Sequence, residues 1–524
     1  MHPTSAANPP HESRPDGEAP PWYPSYVLAV LVVVYVLNFL DRQILSILNE
    51  HIKADLHLTD AEMGFLFGTA FAVFYALFGI PLGRLADVWV RRSLIAVGLA
   101  FWSGMTALSG MAGGFGHLAA ARIGVGIGEA SASPAAFSLL ADWFPPRRRA
   151  TVFAIYSSGI YLGAGLGLMI GGQVVDRWNA AFPGASAPWG LRGWQVAFFV
   201  VGVPGVALAA WVRTLREPAR DGASSLANGA PLAEFVHELR AVLPPLTLWT
   251  MAREGGAGAL GRNVAVALAV AAAAWALTAW SGDAAQWVAL AVGTYAAASW
   301  MQALRLRNPA AARVILGTPT LRWASLGFGF LSFTGYAIGY WASPWFMRTH
   351  AVPASEVGFK VGAVAAAAGW LGVSAGGALA DAWRARSMRG RLYTGMLTAM
   401  LTPPLVAAVL AAPGAGTAFA LNAPLTFVSS SWIGAGIAVV HDLVPARLRG
   451  TATAAYLLVV TFVGLALGPY VVGKLPAHYG SIGSALLAGS LVGDGLALAC
   501  LLFAARSIAA DQQALDREAG APTA

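Results

Sequence analysis

Two phrases in this chain are each written twice, and every copy closes a long apolar run. Gly83-Arg84-Leu85-Ala86-Asp87-Val88-Trp89-Val90-Arg91-Arg92-Ser93 returns as Gly377-Ala378-Leu379-Ala380-Asp381-Ala382-Trp383-Arg384-Ala385-Arg386-Ser387. Ala141-Asp142-Trp143-Phe144-Pro145-Pro146-Arg147-Arg148-Arg149 returns as His441-Asp442-Leu443-Val444-Pro445-Ala446-Arg447-Leu448-Arg449. Like punctuation at like intervals predicts two similar bundles of helices built from one repeated plan.

The solvent for those bundles is lipid. Of 524 residues, 57% are hydrophobic and 11% charged, with mean hydropathy +0.62; a soluble domain carries about a quarter charged residues. The apolar blocks run to about 20 residues or more, the length a helix needs to cross about 30 Å of hydrocarbon. The expected fold class is therefore an all-α polytopic membrane protein. The net charge of +8 sits in short joints, at Arg91-Arg92, Arg147 to Arg149, Arg384 to Arg391 and Arg447 to Arg449, while 111–117 and 412–416 hold no Lys or Arg. That alternation places both termini in the cytoplasm and argues against nucleic acid as a partner. Cys500, the single cysteine, lies in an apolar run and reads as a packing residue. The absence of any Asn-x-Ser/Thr acceptor favours a bacterial inner (plasma) membrane.

Apolar runs and breakers give six spans in each half, at about 25–50, 60–88, 93–114, 117–142, 147–176 and 192–213, then about 319–348, 354–383, 388–412, 416–443, 446–475 and 482–507. Thr59-Asp60-Ala61-Glu62 has the form of a capping box opening the second span. The expected organisation is a disordered tail over 1–22, a six-helix bundle over 23–213, a linker over 214–318, a second bundle over 319–507 and a tail over 508–524. Within the linker, Asn263 to Leu304 holds two Ala-rich runs parted by Ser281-Gly282-Asp283. Parity requires that both cross or neither does, since one crossing would invert every Arg-rich joint of the second half. An extra hairpin over 263–304 is expected, the alternative being two helices on the membrane surface.

Charges inside apolar runs are costly and mark function. The first span carries Asn38, Asp41 and Arg42; the fourth carries Arg122 and Glu129, seven residues apart and so on one helical face. At 1.5 Å rise per residue, Asp41 lies about 13 Å below the outer boundary, between Arg122 at about 7 Å and Glu129 at about 18 Å. Two acids and two bases at one level can neutralise each other and exchange partners when a carboxylate takes a proton. Asp41 and Glu129 are the candidates for proton coupling, and Arg42, Arg122 and Asn38 for holding an anionic headgroup or the ion pairs. The second half offers Ser332, Phe333, Tyr336, Tyr340, Ser430 and Trp432 as an aromatic and hydroxyl-bearing cavity wall. Such a cavity suits an amphiphilic or organic anion.

The repeated phrases supply a candidate cytoplasmic gate of Gly83, Asp87, Arg91, Arg92, Asp142, Arg149, Asp381, Arg386, Asp442 and Arg449. An Asp at a helix C-terminus opposes the dipole, so Asp87 and Asp381 call for basic partners or a neighbouring helix N-terminus. Gly124, Gly126 and Gly128 follow no strand and serve close helix packing rather than nucleotide binding. No Gly-x-x-x-x-Gly-Lys-Ser/Thr occurs, which speaks against an ATP-driven pump. His441-Asp442 sits at a helix end where the other copy has Ala141-Asp142, so it reads as structural and not as an enzyme's site. No cofactor and no metal is expected.

Gly83 to Arg92 resembles the Gly-x-Leu-Ala-Asp-x-x-Gly-Arg-Arg signature of the major facilitator superfamily, with Val90 in the place of the usual Gly. Arg122 with Gly126 and Gly128 resembles that superfamily's fourth-span signature, shifted at its last position. Asn38-Phe39-Leu40-Asp41-Arg42, Arg122 to Ala130 and Asp142-Trp143-Phe144-Pro145 are similar to the Spinster family of lysolipid and sphingosine-phosphate exporters. The resemblance implies two pseudo-symmetric six-helix bundles rocking about a cavity lined by spans one, four, seven and ten. It further implies a proton-coupled monomer in which Asp41 and Glu129 handle protons and Arg42 meets the headgroup. Carriers of small organic anions share the Asp-Arg pair of the first span, so sugar acids or aromatic acids stand as alternative cargo, with multidrug export behind them.

Overall fold

The computed structural model describes residues 20–183, 186–218, 231–445 and 448–520. Most of the expected N-terminal tail, part of the linker, Arg447 and the last four residues lie outside them. No strand occurs among the described residues. The first bundle comprises α1 (Tyr23–Leu56), α2 (Asp60–Val88), α3 (Arg91–Ser109), α4 (Phe115–Trp143), α5 (Pro146–Ala181) and α6 (Gly193–Arg213). An insert follows: α7 (Pro231–Val242), α8 (Leu246–Ser281), α9 (Ala284–Arg307) and α10 (Pro309–Gly317). The second bundle is α11 (Pro319–His350), α12 (Ala354–Arg384), α13 (Gly390–Leu410), α14 (Ala415–Asp442), α15 (Arg449–Lys474) and α16 (Ile482–Gly520). Eleven of these helices are long and apolar enough to cross a membrane.

Local chemistry fixes the ends. Thr59 caps α2 as its sequence requires: its hydroxyl accepts from the Glu62 N–H, and Glu62 accepts from the Thr59 N–H at 2.8 Å. α1 stops where His57 takes a left-handed conformation. α16 continues well beyond the expected boundary at 507, because 508–519 supplies Ala, Gln, Leu and Arg with no breaker before Gly520. The two bundles keep one plan in detail. α4 breaks at Ala130-Ser131 and α14 at Ser431-Trp432, nearly equivalent points of the repeat.

The Arg-rich joints share one end of the molecule, called here the basic face; the opposite end is the distal face. Among the described residues, the hydrogen bonds and ion pairs between bundles all lie from mid-depth to the distal face. Arg348 of α11 holds Glu50 at 2.7 Å and Asp60 at 2.6 Å. Ser46 donates to the Tyr340 carbonyl, Asn49 to the Tyr340 hydroxyl, and that hydroxyl to the Met63 carbonyl. Ser355 N–H meets Asp176 at 2.6 Å, and the Thr69 hydroxyl meets the Ala466 carbonyl. The bundles are thus sealed distally.

In the insert, α8 and α9 form a hairpin whose turn residue Gly282 has φ 81°. A buried polar ladder joins its two helices: Asn263 donates to Ser299 and Gln302 at 2.9 Å and accepts from the Tyr295 hydroxyl at 2.6 Å. Such bonds hold helices together where no hydrophobic gradient does. The hairpin is longer than the 263–304 expected from sequence. α8 begins at Leu246 and passes a backbone break at Gly256, and much of the supposed linker is helical.

Candidate functional site

The midpoint of the first bundle gathers all four charges singled out in the sequence. α4 is wedged between α2 and α3 because it presents no side chain at two positions. A Cβ at Gly126 would stand 2.6 Å from the Phe71 carbonyl oxygen, and one at Gly128 would stand 2.9 Å from the Trp102 nitrogen. The wedge carries Arg122 and Glu129 up against α1. Glu129 accepts from Arg42 Nε at 2.6 Å. Arg42 is further enclosed by the rings of Phe39, Phe71 and Tyr75, at 4.7, 4.4 and 4.7 Å from its Cζ. Arg122 turns to main-chain oxygens, donating to the Leu66 carbonyl at 3.3 Å and the Asp41 carbonyl at 3.4 Å.

Asp41 is the exception. Its side chain is buried, and neither carboxylate oxygen accepts a described hydrogen bond. Ranged around it are the Glu129 carboxylate, the Arg122 guanidinium, the Trp102 indole and the Thr106 hydroxyl. Trp102 Nε1, Thr106 Oγ1 and both amide atoms of Asn38 are likewise buried without a described bond. A buried polar group with no partner costs about 1–3 kcal/mol, so donors kept beside a buried carboxylate are there to serve it. Asp41 and Glu129 have no solvent exposure and Arg122 has 1%, whereas the Arg42 side chain keeps 14%. Arg42 is the quartet's one accessible member, and Tyr336 of α11 is among the groups acting on it from the other bundle.

A model of the Major Facilitator Superfamily matches residues 31–469. The chain belongs to the major facilitator superfamily. An MFS-type efflux pump of Mycolicibacterium smegmatis is 28% identical over 449 residues, covering 86% of this chain and 83% of the pump. A probable galactarate/D-glucarate transporter of Bacillus subtilis is 31% identical over 200 residues, or 37% of this chain and 41% of that one. The crystal structure of a bacterial homologue of the human lysosomal transporter Spinster, inward-facing and unoccupied, superposes with a TM-score of 0.65 at 25% identity, covering 96% of this chain and all of that one. As a member of the superfamily this chain is a multi-pass membrane transporter, with a Spinster-like fold.

The remaining expected residues of this facilitator divide between the surroundings of Arg42, the distal seal and the bundle interior. Tyr336 alone of the proposed second wall is placed toward Arg42. Tyr340 is buried in the distal seal, stacked on Phe67 at 4.3 Å between ring centroids. Ser332 and Phe333 face inward to α15 and α16, where Gly464, Gly468 and Gly493 receive them. Ser430 donates within its own bundle to the Gly369 and Thr426 carbonyls, and Trp432 stacks on Phe328 in the core. In this conformation these four side chains pack within the second bundle, whose helices are surrounded by protein on several sides, so an aromatic or hydroxyl need not point centrally.

At the basic face the repeated phrases form two matching clusters, each inside one bundle. Buried Arg91 binds Asp142 at 2.5 Å, Ser138 at 2.9 Å and Glu217 at 2.7 Å, and the Arg91 and Arg92 N–H groups also point at the Glu217 carboxylate. Arg92 reaches the Leu215 carbonyl. Arg149 donates to Phe144, Arg84 approaches Asp87 at 3.5 Å, and Gly83 lies by Pro134. In the second bundle Arg391 binds Asp442 at 2.5 Å and Asp381 at 3.0 Å, while Arg384 binds Asp442 at 3.0 Å. Arg386 and Arg449 are exposed. Arg391, and not Arg386, therefore makes the contacts with Asp381 and Asp442. The first phrase recurs 294 residues on and the second 300 on, and Arg391 lies 300 after Arg91.

Sequence reading also missed Trp102 and Thr106, Glu217, and Asp494 of α16. Asp494 is buried beside Thr334, with neither oxygen in a described hydrogen bond.

Proposed function

We propose that this facilitator is a proton-coupled carrier of an amphiphilic anion, such as a lysophospholipid or a sphingosine-phosphate-like lipid, working by alternating access. The observation that carries this reading is Arg42. Its Nε is spent on Glu129 and its faces on three rings, which leaves the Nη groups as donors for an incoming anion. An anion on Arg42 weakens the hold on Glu129 and a proton on Glu129 frees Arg42, so the anion competes with the Glu129 carboxylate for one guanidinium and each of the two ligands, proton and anion, favours binding of the other. Asp41 is the second proton site, and Trp102 and Thr106 beside it are the donors for its carboxylate. Asn38 and Arg122 keep the pair in register.

The basic face is cytoplasmic on the positive-inside rule, with both termini there, in a bacterial inner membrane. The distal seal then makes this conformation open to the cytoplasm. Asp87, Asp142, Asp381 and Asp442 with Arg91, Arg92 and Arg391 form the cytoplasmic gate, intact within each bundle while the bundles stand apart. The organisation is two bundles with a membrane-crossing hairpin between them, acting as a monomer. The partial match to a sugar-acid transporter favours a second reading, with a small organic anion on the same Arg42.

Thermal stability of the detergent-purified protein separates the two. A lysophospholipid should raise the melting temperature in wild type and not in Arg42→Ala, with a sugar acid having little effect. A shift by the sugar acid alone removes the lipid reading.

A further inference from the structure

The insert touches both bundles, but in different ways. Against the first bundle its contact is apolar and long: Val242 of α7 and Ala296 of α9 form one buried cluster with Val73 and Leu77 of α2, joined by Phe74, Phe78, Val292 and Trp300, and Phe462 of α15 borders the same cluster. Against the second bundle α10 packs Ala311 and Ile315 into the apolar core at the basic end, and the hairpin turn adds a polar contact at the distal end. Asp283, in the hairpin turn, accepts from the Tyr470 hydroxyl and from Lys474 Nζ, both at 2.7 Å, and Lys474 also reaches the Ser281 carbonyl at 2.7 Å. Both members of the ion pair are part-exposed, 22% for Asp283 and 32% for Lys474.

Between these two contacts lies a three-way junction. The buried Thr69 hydroxyl of α2 stands 2.6 Å from the Ala466 carbonyl of α15 and 2.7 Å from the Gln286 side-chain oxygen of α9. One hydroxyl hydrogen cannot serve both acceptors fully. With the Gln286 amide turned over, its NH2 donates to Thr69 and Thr69 donates to Ala466, so one hydroxyl serves both helices. The hairpin thus reads the distance between α2 and α15 at the place where the distal seal must part.

We infer that the hairpin is a strap carried by the first bundle, and that it latches α15 through Asp283, Lys474 and Tyr470 to hold the distal face closed. The inference rests on alternating access as proposed above. Opening the distal side separates α2 from α15. The packing of α9 on Val73 and Leu77 of α2 survives that movement, whereas Phe462 must leave Gly293 and the turn must release Lys474 and Tyr470. A latch of one part-exposed ion pair and one charge-assisted hydrogen bond is strong enough to bias the two states and weak enough to break in each cycle.

Two measurements on the full chain in lipid test it, with Cys500→Ala as background. First, spin labels at Met111→Cys and Ala411→Cys report the gap across the distal face by pulsed electron resonance. Asp283→Asn should enlarge the longer-distance population at least about three-fold, and Lys474→Gln should do the same. Distance distributions identical to wild type in both variants overturn the strap. Second, a reducible thiol cross-link between Asp283→Cys and Lys474→Cys should cut flux at least about ten-fold, with recovery on reduction. Full flux in the cross-linked protein also overturns it. Failure of alternating access itself looks different: neither wild type nor variant then shows a second distance under any pH gradient, and the strap falls with that reading.

Discussion

Glu129→Gln should abolish uphill transport while leaving a folded protein. In proteoliposomes with an imposed pH gradient, accumulation of labelled lysophospholipid is expected to fall at least about 100-fold, since the coupling proton loses its site and Arg42 loses its counter-charge. Gln keeps the shape and one acceptor for Arg42 Nε, which now stands at 2.6 Å from the carboxylate. The Phe39, Phe71 and Tyr75 rings still cage the guanidinium. Downhill exchange should therefore persist, and a monodisperse elution profile should show that the loss is one of coupling. Unchanged accumulation takes Glu129 out of the mechanism.

The second large effect concerns the basic face. Arg91→Ala leaves Asp142 and Glu217 facing each other around a buried space, and should cost about 2–4 kcal/mol by thermal or denaturant unfolding in detergent. Arg391→Ala removes the half-buried clamp on Asp442 and Asp381 and should cost about 1–2 kcal/mol. Arg386→Ala, on an exposed side chain, should stay within about 0.5 kcal/mol. If Arg386→Ala costs as much as Arg391→Ala, the 300-residue register relating the two bundles is wrong at this joint.

That register shows how far the sequence could be read. The doubled phrases and apolar runs were enough for two bundles, their order and the capping box at Thr59, because each depends on spacing along one helix. The gathering of Asp41, Arg42, Arg122 and Glu129 was legible for the same reason: rise per residue fixes depth, and a charge in lipid must find company at its own depth. Depth does not fix which way a side chain turns. Hence the pairing of Arg42 with Glu129, and of Arg122 with main-chain oxygens, appears only in the structure. Ser332, Phe333, Ser430 and Trp432 were placed on the cavity wall and lie inside the second bundle, since a helix packed on several sides has no single apolar stripe to betray its orientation. Trp102 and Thr106 are ordinary residues of an apolar run until the structure sets them beside Asp41. Arg391 was hidden by the six residues that separate the two repeat intervals; aligning Asp142 with Asp442 first would have found it.

One measurement bears most directly on the claim that a buried charge quartet couples the movement of protons to that of cargo. Lysophospholipid flux and proton flux are followed together in the same liposomes, for wild type and Asp41→Asn, under an imposed pH gradient. The account predicts coupled fluxes in wild type, and in Asp41→Asn a cargo flux that runs only downhill with no accompanying protons. Uphill, proton-linked movement by Asp41→Asn would contradict it.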